Sequence, residues 1–146
     1  MTQPEHYTLQ QERIRDQNDW FLAIGSINLT SHLISYLRMN KANAPETHQR
    51  KLATRRAFKN FCRLNARDKK TFYEINAQML MFLYASWLKA MRENQSKIPP
   101  NFQNSINSTM DCCERVLMRR DLRRLVDIRI SFDTEIQLLG TKAKQK

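Results

Sequence analysis

The stretch TFYEINAQMLMFLYASWL, residues 71–88, decides the fold class. From Met79 to Leu88 it is apolar nearly all the way round a helix, through Met79, Leu80, Met81, Phe82, Leu83, Tyr84, Trp87 and Leu88. Such a helix belongs at the buried centre of a bundle or in the core of a dimer. It is too short to span a bilayer, because the unbroken run is about ten residues where ~20 are needed, and Glu74, Lys89 and Arg92 flank it. Thr71 and Glu74 match the capping-box pattern, so a helix is predicted from Thr71 to about Asn94.

Working outward, the same period recurs on both sides. Upstream, a helix is predicted from about Leu9 to Arg38, with a break near Asp16–Asp19. Its apolar face holds Trp20, Ile24, Ile27, Ile34 and Leu37, widened by Leu33 and Tyr36, and Gly25 within it marks a tight helix crossing. Lys41 to Pro45 reads as a linker, and a second helix runs from about Pro45 to Ala66. Downstream, residues 94–105 form a loop, and a fourth helix begins near Pro100 or Asn101 with Ile106, Met110, Cys113 and Leu117 on one face.

After Leu117 two patterns compete. Met118, Leu122, Leu125, Arg129, Phe132, Ile136 and Leu139 follow a heptad-like spacing that ends at Gly140, a candidate C-cap. Yet Val126 to Phe132 alternates apolar and polar, which is the strand period. Helix is favoured, because a lone strand has no partner strand within the chain. The expectation is therefore an all-α, single-domain bundle of four to five helices over residues 1–146, with a short strand near 126–132 as the competing feature and flexible tails at 1–7 and 141–146. Two glycines and four prolines in 146 residues leave too few turn formers for a multi-stranded sheet. The apolar strip of the third helix and the C-terminal heptads are the surfaces through which a homodimer or a larger assembly would form.

Charge is the second strong signal. The net charge is +11, and residues 46–70 hold nine basic groups against two acidic ones, whereas residues 1–45 are balanced. Within that segment Arg55, Lys59, Arg63 and Arg67 recur every four residues, with Arg56 beside them, while Ala57, Phe58, Phe61 and Leu64 occupy the opposite side. Successive charges on such a helix rise by about 6 Å, close to the phosphate spacing of a nucleic-acid strand. A second helical set, Arg115, Arg119, Arg120, Arg123 and Arg124, uses the guanidinium fork that suits phosphate, although Asp111 and Asp127 at four-residue spacing can satisfy part of it. The bland alternative for both sets is a solvated surface with long stems covering apolar neighbours. Phe58, Phe61, Phe72 and Tyr73 lie beside the stripe and read as core before they read as base-stacking groups. A helix-turn-helix across Ala53–Tyr84 lacks the turn glycine.

Catalytic and cofactor chemistry finds no motif. His6, His32 and His48 are scattered, Cys112 and Cys113 have no second pair, and glycine-rich phosphate loops are absent. The odd number of cysteines argues against a disulfide framework and for a reducing, cytoplasmic setting, in keeping with an N-terminus that lacks the pattern of a secretory signal. No motif of a known family is reproduced at specific positions. The residues favour a non-enzymatic accessory protein that binds RNA or DNA without sequence preference through Arg55–Arg67 and Arg115–Arg124, with no cofactor. The alternative is an adaptor or regulator, such as a chaperone, inhibitor or assembly scaffold, docking its basic face on an acidic protein; binding to anionic lipid ranks behind both.

Overall fold

The computed structural model describes residues 9–39, 51–93 and 101–144, and side chains from residue 21 of the first helix to residue 140 of the last. It holds five helices: α1 (Leu9–Tyr36), α2 (Arg55–Arg67), α3 (Thr71–Glu93), α4 (Phe102–Leu117) and α5 (Leu125–Lys144). No strand occurs among the described residues. The all-α bundle is therefore the fold, and α3 is its axis, touching each of the other four helices. Ile75, Met79, Phe82 and Leu83 are buried there while Met81 is 53% exposed, so one side of the apolar strip is covered within the chain and another is left at the surface. The 1–7 arm, the Lys41–Pro45 linker and the first part of the 94–105 loop lie outside the described residues.

α1 runs unbroken through Asp16–Asp19, where a break was expected. Its inward face is Leu29, Leu33, Tyr36 and Leu37, while Ile27 is 69% exposed. The error has a geometric cause: Ile27 stands two residues from Leu29, roughly 200° round a helix of 3.6 residues per turn. Gly25 does mark a close crossing, since a Cβ there would stand 2.9 Å from Leu83 Cδ2 on α3. Phe21 sits beyond it, stacked on Trp87 at 5.0 Å and edge-on to Phe102, which closes that end of the bundle with rings from α1, α3 and α4.

α2 begins at Arg55 after the non-helical residues 51–54, so the helix expected from Pro45 to Ala66 is not continuous, and Pro45 itself lies outside the described residues. Within that non-helical stretch the backbone groups of Ala53 and Thr54 are taken by distant parts of the chain. The Ala53 N–H donates to the Tyr36 carbonyl at 2.9 Å, and Arg38 Nη2 donates to the Ala53 carbonyl at 3.2 Å. The Thr54 N–H donates to Glu114 Oε1 at 3.4 Å, and the Thr54 hydroxyl accepts from the Ala57 N–H at 3.3 Å as the N-cap of α2. Glu114 of α4 is buried and also accepts the Tyr36 hydroxyl at 2.6 Å. Arg38, at φ 58°, turns the chain out of α1 in the left-handed region. Burial, with the neighbouring Cys113 and Glu114, pushes the Tyr36 hydroxyl well above the ordinary tyrosine range.

The capping box expected at Thr71 and Glu74 is replaced by a tighter turn. The Thr71 hydroxyl donates to the Asp68 carbonyl at 2.6 Å, and Asp68 Oδ1 accepts the Lys70 N–H at 2.9 Å. Glu74 is thereby released to pair with Arg129 of α5. The fourth helix begins as expected, capped by Asn101, whose Oδ1 accepts the Gln103 N–H at 2.9 Å.

Residues 126–132 are helical, as favoured, and the competing strand does not form. Ile128 and Phe132 stand four apart and point into the core, whereas Val126 and Ile130, equally four apart, lie outside at 44% and 57% exposure. The apparent alternation is two helical rows, one buried and one bare. Helix does not run on from Leu117 through Leu122 as the heptads suggested; 118–124 is an irregular connection. Gly140 is no C-cap, because α5 continues to Lys144 through it. Leu122 and Phe132 are nevertheless buried, with Leu125, Ile136 and Leu139 packed against the core, so these heptad residues serve the chain's own interior.

Candidate interaction face

The two arginine sets are brought together by α2 and the 118–124 connection. α2 buries Ala57, Asn60, Phe61 and Leu64, and turns Arg55, Arg56, Lys59, Arg63 and Arg67 outward. Asn60 is the residue the charge pattern did not single out. Its Nδ2 donates to the Leu117 carbonyl at 2.6 Å and to the Arg119 carbonyl at 3.4 Å, satisfying acceptors that the end of α4 leaves open. One turn further on, Arg63 Nη2 donates to the Leu122 carbonyl at 2.6 Å, and Arg67 Nη1 to the Arg123 carbonyl at 3.4 Å. Asn60, Arg63 and Arg67 therefore strap the connection along one edge of α2. A polar residue on the buried side of an amphipathic helix was the signal available for Asn60.

The strap carries Arg119, Arg120, Arg123 and Arg124 up against the α2 stripe, and all four are exposed. Arg119 pairs with Asp121 across the turn at 3.2 Å, and that bond holds the Asp121 carboxyl below its ordinary range. Asp127 caps α5 by accepting the backbone N–H groups of Arg123 and Arg124, each at 2.9 Å. Those two bonds hold its carboxyl low. The Arg123 and Arg124 side chains are left pointing to solvent, as are Arg55, Arg56 and Lys59, which make no hydrogen bond or ion pair with described residues. Arg115 is the exception. It sits on α4 in a bidentate contact with Glu135 of α5, at 3.0 and 3.1 Å, and belongs to a helix–helix brace. That carboxylate pushes the guanidinium still further up.

Of the neighbouring aromatics, Phe61 is buried and Phe58 and Phe72 are half-buried against the core, so only Tyr73, 72% exposed, stands free of it. Between the end of α2 and the start of α5 lies a cleft of about 360 Å³, with Leu64, Leu125 and Val126 among its walls and Arg67, Arg123 and Arg124 around it. A second groove, about 500 Å³, runs between the ends of α3 and α5 along Leu88, Ile136 and Leu139. Cys62 is exposed on α2; Cys112 and Cys113 are buried in α4, and burial pushes the Cys112 thiol up to about 12. Among the described residues no His, Cys, Asp and Glu cluster could hold a metal ion, and no helix is long and apolar enough to cross a membrane.

The sequence family described as ELMO/CED-12 matches residues 2–102. No curated protein and no solved structure matches the chain. The family match overturns the expectation of RNA or DNA binding by an accessory subunit, because this is a family of protein–protein interaction adaptors. The family favours a protein over nucleic acid as the partner. The match extends over more than half of the chain, from α1 to the first residue of α4, and the chain belongs to the ELMO/CED-12 family.

Proposed function

We propose that the protein is a non-catalytic adaptor whose cationic face, built from the outer side of α2 and the 118–124 connection, docks on an acidic surface of a protein partner. The observation that carries this reading is the convergence of two separate arginine sets on one face by the Asn60, Arg63 and Arg67 strap. Arg55, Arg56 and Lys59 gain nothing for the fold that would account for them, and unpaired cations on a rigid helix are what steers and registers an acidic partner. Small GTPases and Dock proteins, the partners associated with this adaptor family, are the first candidates to test. Arg115 is outside the face, since Glu135 holds it.

The test is affinity capture by the full chain, in the presence of nuclease, followed by binding measurements with each purified captured protein. Changing Arg55, Arg56 and Lys59 together to Glu should abolish binding of the relevant partner while the thermal melt stays in place. Binding that survives this reversal unchanged would remove the face from the adaptor's function.

A further inference from the structure

The cleft at the seam of α2 and α5 has a composition the rest of the cationic face lacks. Its floor is apolar, with Leu64 buried and Val126 44% exposed, and Leu125 lines it beside them. Around that floor stand three guanidinium groups, Arg67, Arg123 and Arg124. One carboxylate, Asp68, also lines the cleft and accepts the Lys70 N–H through Oδ1, while Asp127 close by accepts the N–H groups of Arg123 and Arg124. Three cations thus outnumber one carboxylate around an apolar surface that is left open at Val126. A wholly acidic surface would leave that floor uncovered against charge, and a purely apolar side chain would leave the arginines unanswered.

We propose that this cleft seats one large apolar side chain from an acidic segment of the partner, whose flanking carboxylates pair with Arg67, Arg123 and Arg124. The inference rests on the acidic-partner reading of the face and adds its anchor point. Apolar burial supplies the affinity, and the guanidinium forks supply register along the segment. Val126 is then a recognition residue, which explains a valine held half-bare at the first turn of α5.

The experiment uses the full chain and two fluorescent peptides of glutamate and aspartate, one with a central leucine and one with serine in its place. The leucine peptide should bind about tenfold more tightly, the amount expected for burying one such side chain. Val126→Gln should erase that advantage without weakening the serine peptide, and Arg123→Ala with Arg124→Ala should weaken both peptides. Equal affinity of the two peptides, or a leucine advantage that survives Val126→Gln, would overturn the anchor while leaving the face reading in place. Leucine-dependent binding indifferent to Glu at Arg55, Arg56 and Lys59 would support the anchor and remove the wider face. Absence of binding by either peptide would overturn both. Circular dichroism of each variant guards against misreading an unfolded protein.

Discussion

The two ends of α2 carry the same residue types at the same spacing and do different work. At the C-terminal end, Arg63 and Arg67 reach carbonyls of the 118–124 connection and, with Asn60, fasten it to the bundle. At the N-terminal end, Arg55, Arg56 and Lys59 meet no described partner. A helix surface is read by what crosses it. Where a chain segment with open carbonyls lies alongside, a guanidinium becomes a structural donor; where none does, it stays exposed to solvent.

Substitutions separate these roles by size. The largest loss should come from the core that both ends share: Phe82→Ala, at a buried position on the central helix, should cost about 3–5 kcal/mol in a denaturant titration. Loss of no more than a surface substitution's effect there would contradict α3 as the axis of the bundle. Alkaline pH should reach the same interior by another route. Tyr36, Cys112 and Cys113 all have folded values raised by burial. Each therefore contributes stability that is whole below its unfolded value, near pH 9 for the thiols and 10 for the tyrosine, and is lost as pH rises beyond it. Stability followed by circular dichroism should fall above about pH 9, and under native conditions a thiol reagent should label Cys62 well ahead of Cys112 and Cys113.

Next in size is the strap. Asn60→Ala leaves the Leu117 and Arg119 carbonyls without their donor and should cost about 1–3 kcal/mol. Arg63→Ala should cost about 1 kcal/mol, since its bond to the Leu122 carbonyl is only partly shielded from water. The smallest stability effect belongs to the open end. Arg55→Ala and Lys59→Ala should each change stability by no more than about 0.5 kcal/mol, yet should raise the partner's dissociation rate or slow its association. If the open end proved as costly to stability as Asn60, the contrast between the two ends of α2 would collapse.

Much of the helix placement followed from local rules. α3 was legible from its long apolar run, and α4 from its 3.6 period and its Asn101 cap. α2 started late because Ala53 and Thr54 bond to Tyr36 and Glu114, residues far from them in sequence, and no local pattern registers such partners. α5 posed as a strand because its buried row, Ile128 and Phe132, interleaves with an exposed apolar row, Val126 and Ile130. An exposed apolar row is a departure from the patterning of an isolated helix, and at Val126 that departure coincides with the proposed anchor site.

The cationic stripe was plain in the sequence, but its chemistry was assigned to the wrong partner. Periodic positive charge is common to surfaces that meet phosphates and surfaces that meet carboxylates, so spacing alone could not separate them. The family match argues for a protein partner. Composition and periodicity were thus sufficient for the fold class, for the central helix and for the existence of a basic face, because burial and helical geometry act on near neighbours. Tertiary structure alone decided that Asn60, Arg63 and Arg67 would bind the 118–124 connection, that Arg115 would turn away to Glu135, and that Leu64, Val126 and three arginines would line one cleft. Each of these depends on groups more than fifty residues apart, or on separate helices, coming within bonding distance, and that requires the whole bundle to close.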